Sequence, residues 1–532
     1  MHGHILSIQT HSIGIVGAGP MALYTLKELI NSRRSLHITV FESANQAGSG
    51  MPYSSDMNAD FMYCNAFSHE IPTMTQPLTC WLESQDRAFL QDWNLTPDLI
   101  SSRAFYPRVL LGKYMESEFA DICDLGWQNG HQIKVLTGHQ VLDISPDPSG
   151  GAECLVQTHS GTQRLSFNKV IIATGHDWPT VPRIDEVDLV SPWPYTNIQA
   201  LKAGPIGVLG SSLSAIDTVI ALGFEHGEFH EEDNCVSWFA KDSSSNLNIS
   251  MVSHKGIMPE PDFYYPYPYL PLKHVNPEAV CQEVSKGSDQ LLKRVFDLLI
   301  AELTDADPEY MIELGAGAET VSGFAKAYFE RRERLGGLKA LREALEESQT
   351  SKELKQPIAY RYSLLRGHES FELILEHLNQ ADWKLFMDQL MPVFADCYSA
   401  VPHVSVRRIL ALYDAGVLEI LPTGASSQFS GSSDAVTVST LDGKVTLDAM
   451  IDARGQSSAS MRHLPFKSLT GLLKYPDRPI LQPFEVQTTQ LKHSGIYCLA
   501  MPQLLERHPF SQGLPNCKAL AVQVVESLDW EC

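Results

Sequence analysis

A glycine pattern typical of a phosphate-binding turn lies close to the N-terminus of the chain. Gly17, Gly19 and Ala22 follow a β-branched run at residues 12–16 and precede an apolar stretch with helical character at residues 23–30. In such a strand–turn–helix unit the first glycine permits a tight turn, the second lets the backbone approach a pyrophosphate, and the alanine keeps the helix close to the strand. Free N–H groups and the helix dipole then favour an anion. The pattern predicts a turn that binds the pyrophosphate of a dinucleotide.

A carboxylate follows at the position where this motif places its contact with a ribose. Residues 37–41 are predicted to form a second strand that ends on Glu42, and an acid at this distance accepts hydrogen bonds from ribose hydroxyls. Gly48 opens a glycine–serine–glycine loop, which we expect to lie along the cofactor. We also assign Pro20, inside the glycine turn, to this first binding site.

A second strand–turn–helix pattern occurs about two hundred residues into the chain. Gly210, Ser212 and Ala215 repeat the spacing of the first motif, with a serine where the middle glycine belongs. A serine Cβ holds a phosphate slightly further away, so we expect weaker or more transient nucleotide binding here. The alternative is that this second fold serves structure alone. Before it, a buried strand runs into Thr174 and Gly175, which we also assign to cofactor binding, and the chain is expected to leave the first domain at His176 and Pro179.

Two dinucleotide motifs in one chain indicate two nucleotides, FAD at the first and a nicotinamide nucleotide at the second. The predicted second strand of the second motif, residues 248–252, is followed by Ser253, His254 and Lys255 instead of an acid. Basic side chains suit the 2′-phosphate of NADPH, whereas a carboxylate favours NADH. We therefore expect NADPH, with NADH as the alternative cofactor. A Lys255 side chain that is merely solvated is the competing interpretation.

The order of these patterns predicts an α/β fold with two Rossmann-like dinucleotide-binding domains, the NAD(P)H domain being inserted into the FAD domain, plus a helical insertion. We expect a first part of the FAD domain at residues 1–200, the NAD(P)H domain at 201–275, and the helical insertion at 276–400. The C-terminal part, 401–532, is expected to return to the NAD(P)H and FAD domains.

Composition excludes several classes of protein. The 63 acidic residues exceed the 40 basic ones and give a net charge of −23, which disfavours nucleic acid and anionic membrane surfaces as partners. The sequence has no apolar run long enough for a membrane helix, and its N-terminus does not resemble a signal peptide, so we expect a cytoplasmic protein. The ten cysteines include no C-x-x-C pair, and we predict no metal site. The oligomeric state is left open.

These motifs together resemble bacterial FAD/NAD(P)-binding proteins related to flavin-dependent N-hydroxylating monooxygenases, the class B-like flavoproteins. The pieces that carry the resemblance span most of the chain and are residues 17–22, 48–53, 105–108, 112–114, 173–176, 213–217 and 256–259. A departure from the pattern occurs at residues 452–455, where Asp-Ala-Arg-Gly replaces a second Ala-Thr-Gly turn.

The resemblance implies site residues near the flavin ring. Gly513 and Leu514 would pass beside the ring at the start of the last helix, where the helix dipole stabilises negative charge. Asn65 and His69 would be the polar side chains nearest the ring, and Arg108 would clamp an anion; we treat these three as the catalytic candidates. His176 is interpreted as a turn residue.

The leading hypothesis is an FAD- and NAD(P)H-dependent oxidoreductase that hydroxylates the amine of a small polar molecule through a flavin hydroperoxide. A flavin reductase or oxidase without oxygen insertion is the second hypothesis. The third is a non-catalytic protein that holds FAD as a sensor or binding partner, which the serine at position 212 would favour. The sequence does not identify the substrate.

Overall fold

The apolar runs predicted as strands form two parallel sheets in a computed structural model of the protein. The structure describes residues 11–148, 150–176, 183–232, 234–424, 428–432, 435–441 and 443–528. Contacts divide the chain into two units: unit 1 contains the residues up to 178 and those from 456 onward, and unit 2 contains residues 179–455. The predicted α/β class with parallel sheets and a helical insertion is confirmed.

The strands are, in chain order, β1 (His11–Val16), β2 (Leu36–Phe41), β3 (Gln132–Leu136), β4 (Gln140–Pro146), β5 (Ala152–Thr158), β6 (Gly161–Phe167), β7 (Lys169–Ile172), β8 (Arg183–Ile184), β9 (Val187–Asp188), β10 (Pro205–Leu209), β11 (Gly227–Glu232), β12 (Cys235–Ala240), β13 (Asn248–Ser253), β14 (Leu418–Pro422), β15 (Phe429–Ser432), β16 (Ala435–Thr440), β17 (Gly443–Leu447), β18 (Ala449–Asp452) and β19 (Ile496–Cys498).

The α-helices are α1 (Pro20–Leu29), α2 (Gly50–Tyr53), α3 (Leu78–Glu83), α4 (Arg87–Asp92), α5 (Arg108–Gln128), α6 (Thr196–Gln199), α7 (Leu213–His226), α8 (Pro277–Ser285), α9 (Leu291–Ala306), α10 (Pro308–Leu314), α11 (Val321–Leu335), α12 (Gly337–Leu354), α13 (Ala359–Glu372), α14 (Gln380–Leu385), α15 (Met391–Tyr398), α16 (His403–Asp414), α17 (Lys467–Thr470), α18 (Met501–Leu504) and α19 (Leu514–Ser527). No helix within the described ranges is long and apolar enough to cross a membrane.

Unit 1 is built on a five-stranded parallel sheet with the order β19-β7-β1-β2-β3. Its central strands are continuous apolar runs because both faces are covered, as parallel sheets require. Helices α5 and α19 pack against α1. Strand β1 lies at the centre of the sheet, so the chain crosses over in opposite directions on its two sides. A crevice at the carboxyl ends of β1 and β7 is the position where such sheets bind ligands.

Unit 2 repeats this arrangement with a four-stranded parallel sheet, β14-β13-β10-β18, in which β10, the first of these strands in the chain, lies between β13 and β18. An antiparallel meander, β15-β16-β17, contributes Val436, Val438 and Leu447 to an apolar cluster with residues of β13 and β18. Between β13 and β14 the chain forms helices α8–α16.

The observed division of the chain differs from the expected boundary at residues 200 and 201. Unit 2 begins at residue 179, because the segment before α6 joins the second sheet. Val190 forms a parallel bridge with Ile451 and donates its N–H to the carbonyl of Met450 at 2.8 Å. The C-terminal segment expected at 401–532 is divided at residues 455 and 456, where it passes from unit 2 to unit 1.

Buried charges anchor the helical insertion to the segment after β13. Glu260 forms ion pairs with Arg332 of α11 and Arg361 of α13, both at 3.1 Å, and all three side chains are more than nine-tenths buried. Arg332 also pairs with Asp396 of α15 at 2.9 Å. Burial by itself raises the pKa of Glu260, but the two guanidinium groups outweigh it and hold that pKa below its ordinary value. The carboxylate is therefore charged in the folded protein.

We predict that Glu260→Gln destabilises the protein by about 3 kcal/mol, because it leaves Arg361 and Arg332 buried without this carboxylate. The matched control is Asp297→Asn, which removes the same charge from an exposed pair with Lys293 on α9. The control should cost about 0.5 kcal/mol or less. Urea unfolding of both variants measures the difference, and equal stabilities would show that the buried cluster does not anchor the insertion.

Candidate functional site

The first glycine turn connects β1 to α1 and has a conformation that only glycine adopts without strain. Gly17 has φ +102°, and its N–H donates to the carbonyl of Phe41 at 2.8 Å. A Cβ at this position would lie 2.7 Å from the carbonyl oxygen of Ala173. The turn is therefore confined between β2 and β7 and requires glycine for its own backbone.

The second glycine of this turn faces the glycine loop that follows β2. A Cβ on Gly19 would lie 3.3 Å from the Cα of Gly50, and Gly48, with φ +112°, donates its N–H to Ala18 at 2.7 Å. The loop at 48–50 thus packs against the turn, and its contact with a cofactor stays a prediction. The small size of Gly19 is required by this packing as well as by any ligand that approaches. Ala22 is fully buried beneath the turn.

The N-terminus of α1 has the features of a site that can bind an anion. Gly19 is the N-cap residue and Pro20 occupies the first turn, and among the described residues no side chain caps this end and no acid lies in its first turn. The first N–H groups of a helix have no partner within the helix, so they are available to an anionic ligand.

Glu42 is held at the turn by backbone donors. Its Oε2 accepts from the N–H of Ala18 at 2.9 Å, and its Oε1 accepts from the N–H of Ala44 at 2.8 Å. A carboxylate has about four acceptor positions, so capacity remains for a ribose hydroxyl. The acid lies where the motif places the ribose contact.

Thr174 and Gly175 follow β7 on the other side of the crevice. The carbonyl of Thr174 accepts from the N–H of Met501 at 3.2 Å. A Cβ on Gly175 would meet no described atom within 4 Å, and a Cβ on Gly513 would meet only Pro515, at 3.6 Å. The packing of the chain does not require glycine at these two positions, so each leaves room for a ligand.

The start of α19 completes this part of unit 1. Gly513 is the N-cap residue, without a side-chain cap from the described residues, and Leu514 is buried as the first helical residue. This helix end can stabilise negative charge on a ligand placed before it. The predicted roles of Gly513 and Leu514 remain predictions.

The structure brings Arg108 and His176 close together. Arg108 begins α5, where its Nε donates to the carbonyl of Tyr63 at 3.2 Å. Burial lowers the pKa of His176, and the nearby Arg108 cation lowers it further, so the imidazole is neutral at pH 7. The sequence placed His176 in a turn, and no local pattern signals its electrostatic interaction with Arg108.

The other two catalytic candidates lie on the segment between α2 and α3. Asn65 is exposed. His69 is held by the loop before α5, since its Nδ1 lies 2.8 Å from the carbonyl of Ser102, and its ring stacks on Phe67 with centroids 5.5 Å apart. His69 thus has clear structural partners. The catalytic roles of Asn65, His69 and Arg108 remain predictions.

The second glycine turn, in unit 2, reproduces the geometry of the first. Gly210 has φ +125° and donates its N–H to the carbonyl of Val252 at 2.8 Å, and a Cβ there would lie 2.9 Å from the carbonyl oxygen of Ala453. Ser212 is the N-cap residue of α7, but its side chain does not cap the helix, and Ala215 is fully buried. The turn can therefore present N–H groups to a phosphate despite the serine.

The segment after β13 is joined to this turn by a hydrogen bond. Ser211 donates from Oγ to the carbonyl of Ile257 at 2.6 Å. Because Val252 pairs with Leu209 as Phe41 pairs with Val16, Ser253 is the counterpart of Glu42. Its Oγ accepts from the N–H of Gly256 at 3.1 Å.

Lys255 has partners on the helical insertion. Its Nζ lies 3.5 Å from a carboxylate oxygen of Glu333 and 3.7 Å from the ring centroid of Phe329, both on α11. Two interpretations of Lys255 followed from the sequence: contact with the 2′-phosphate of NADPH, or simple exposure to solvent. In the structure a carboxylate already accompanies it, and this partner was not foreseeable because α11 is distant in sequence.

The residues at the two glycine turns are chemically suited to bind two dinucleotides. Each glycine turn offers helix N–H groups to a pyrophosphate, but a carboxylate accompanies the first turn and a serine the second. The residues present can therefore hold one nucleotide with free ribose hydroxyls and another that carries an additional phosphate.

Comparisons with known proteins match both parts of the chain. Residues 14–177 match the family described as FAD-NAD(P)-binding, and residues 276–398 match the YdhS-like middle domain. The first match confirms the predicted FAD and NAD(P) cofactors and the expected type of domain.

Two solved structures resemble the chain over nearly its whole length. The L-lysine 6-monooxygenase from Pseudomonas syringae has a TM-score of 0.51 at 13% identity, covering 98% of this chain and 99% of that one. The ornithine N-hydroxylase of Kutzneria sp. 744 has a TM-score of 0.49 at 14% identity, covering 97% and 98%. The first likeness shows a shared fold.

A sequence relative extends over the entire length of the protein. The uncharacterized protein YdhS of Escherichia coli (strain K12) is 34% identical over 524 residues, which cover 97% of this chain and 97% of YdhS. At this identity and coverage, the protein belongs to the same family as YdhS, with an FAD-NAD(P)-binding domain at residues 14–177.

Proposed function

We propose that this protein is an NADPH-dependent FAD monooxygenase that hydroxylates the amine of a small polar molecule. The observation that carries the proposal is the pair of glycine turns with equal geometry and different neighbours: a carboxylate, Glu42, follows the strand beside Gly17, and a serine, Ser253, follows the strand beside Gly210. The fold shared with the L-lysine 6-monooxygenase from Pseudomonas syringae supports amine oxygenation as the reaction class.

Unit 1 holds FAD in this proposal. The α1 N-terminus binds the pyrophosphate, Glu42 accepts from the adenosine ribose, and the open space at Gly175 and Gly513 accommodates the ring system. Unit 2 binds NADPH at the Gly210 turn, where Ser253 presents no carboxylate to repel the 2′-phosphate. Bound FAD supplies the redox chemistry between NADPH and oxygen.

Arg108 and His176 are proposed to act on the substrate. Arg108 supplies a cation for an acidic group of the substrate, which orients the amine. The neutral imidazole of His176 accepts a proton from the substrate ammonium, because an amine must be unprotonated to act as a nucleophile. Asn65 and His69 are proposed to bind substrate from the loop between α2 and α3.

The test of this function is product analysis during NADPH oxidation with a panel of amino acids and polyamines. Amine hydroxylation consumes one NADPH and one O₂ for each hydroxylated product. Hydrogen peroxide in place of a hydroxylated amine, for every amine tested, would indicate an oxidase, and absence of flavin reduction by NADPH would indicate a non-catalytic protein.

The two glycine turns provide a reciprocal prediction. Gly17→Ala should reduce the bound FAD at least tenfold, because positive φ and the Ala173 carbonyl oppose a Cβ. Gly210→Ala should leave the FAD content unchanged and weaken NADP⁺ binding at least tenfold, for the same reasons at Ala453. Flavin absorbance and calorimetric titration with NADP⁺ measure the two sites separately.

Each variant of this pair controls for the other, since the strain introduced is the same. Loss of FAD from Gly210→Ala with retention by Gly17→Ala would show that the two nucleotides are assigned to the wrong turns.

The nicotinamide preference gives a second prediction. Lys255→Ala should weaken NADP⁺ several-fold and leave NAD⁺ unchanged, because only NADP⁺ carries the 2′-phosphate. Glu333→Gln should strengthen NADP⁺ about threefold, since its carboxylate near Lys255 repels the phosphate. Titrations with both nucleotides at low salt measure the effects, which should shrink as salt rises.

Glu330→Gln is the matched control on α11, because Glu330 is an exposed acid paired with Lys326. It should change neither affinity. Equal affinity of the parent protein for NADP⁺ and NAD⁺ at low salt would contradict the assignment of Lys255 to the 2′-phosphate.

A further inference from the structure

The end of β18 in unit 2 differs in chemistry from the matching strand end in unit 1. Asp452 pairs with Leu209 of β10 in the register in which Ile172 pairs with Val16 of β1. Asp452 is therefore the counterpart of the fully buried Ile172. A carboxylate thus stands at the last position of the strand beside β10, where the matching strand of unit 1 has an apolar side chain.

The backbone continues in the same way in both units. Ala453 donates its N–H to the carbonyl of Leu209 at 3.0 Å, as Ala173 donates to Val16 at 2.8 Å. The residue after this alanine is Arg454 in unit 2, where unit 1 has a threonine. The two departures from the unit 1 pattern are thus an acid and a base two residues apart.

These two side chains form a bidentate ion pair. Arg454 Nε lies 2.7 Å from Oδ1 of Asp452, and Nη2 lies 2.8 Å from Oδ2. The Asp452 side chain is 13% exposed and that of Arg454 is 57% exposed. A carboxylate bound along the Nε–Nη2 edge fixes the guanidinium plane and leaves the Nη1 hydrogens for another acceptor. The pair therefore presents an oriented cation to solvent.

The backbone that carries Arg454 lies beside the second glycine turn. A Cβ on Gly210 would be 2.9 Å from the Ala453 carbonyl oxygen and 3.5 Å from the backbone nitrogen of Arg454. β10 and β18 are neighbours at the point where the strand order reverses, and the crevice at their carboxyl ends is where open parallel sheets bind ligands. An anion bound at the Gly210 turn would thus be close to Arg454.

We propose that Arg454, oriented by Asp452, binds the pyrophosphate of the nicotinamide nucleotide at the Gly210 turn. This proposal rests on the proposed function, since it takes unit 2 to be the nicotinamide site. Ser212 keeps the phosphate further from the helix N-terminus than a glycine would. A guanidinium at the crevice offsets that loss and also the repulsion from a chain with net charge −23.

The test is calorimetric titration of the FAD-loaded protein with NADP⁺ and with NAD⁺, which share the pyrophosphate. Arg454→Ala should weaken both nucleotides by the same factor, about tenfold at low salt, with flavin content and melting temperature unchanged. Arg454→Lys, which keeps the charge without the fork, should lose less. Asp452→Asn, which keeps the arginine but loosens its orientation, should also have a smaller effect on both nucleotides.

The matched control is Arg342→Ala, which removes another exposed arginine of unit 2 paired with an aspartate, Asp414. It should change neither affinity. If Arg454→Ala weakens NADP⁺ alone, the arginine binds the 2′-phosphate and the proposal is wrong. If it weakens neither nucleotide while the parent protein binds both, the pair is only structural. A parent protein that binds neither nucleotide would overturn the proposed function, and this proposal with it.

Discussion

The same backbone hydrogen bond occurs at both glycine turns, after Val16 and after Leu209, and the rest of the structure depends on these two turns. In each unit a glycine after the first strand of the parallel sheet donates its N–H to a carbonyl at the carboxyl end of the strand on one side, at 2.8 Å. The glycine has a positive φ, and the alanine carbonyl after the strand on the other side closes the space where a Cβ would lie. This constraint turns the chain directly into a helix, whose N-terminus then faces the carboxyl ends of the strands. The capacity to bind an anion at either turn follows from that direction.

In the proposed function, the differences between the units determine which nucleotide each one accepts. Unit 1 places Glu42 against the turn by two backbone hydrogen bonds, so the acid is built into the turn itself. Unit 2 has Ser253 at that position, Lys255 beside Glu333, and Arg454 held by Asp452. An overall negative field makes each of these cations more consequential for an anionic ligand. The same fold is thereby adapted to two ligands that differ in phosphate charge.

Local patterns in the sequence were sufficient for the elements but not for the contacts between them. The turns at Gly17 and Gly210 could be predicted because the strand, glycine and helix signals are adjacent in the chain. The packing of Gly19 on Gly50, the Lys255–Glu333 pair and the proximity of His176 to Arg108 could not, because each joins segments that only the folded chain brings together. The bridge between Val190 and Ile451, which joins the segment before α6 to the second sheet, likewise leaves no local signal.

The central claim is that unit 1 binds FAD through its glycine turn, and release of the cofactor from the purified protein tests it most directly. The protein is denatured by heat, and the released flavin is identified by chromatography and quantified against the chain. The account predicts FAD, approaching one per chain after reconstitution, because a pyrophosphate and an adenosine ribose are the groups that the turn and Glu42 fit. Release of FMN, or a chain that cannot be reconstituted with FAD, would contradict it.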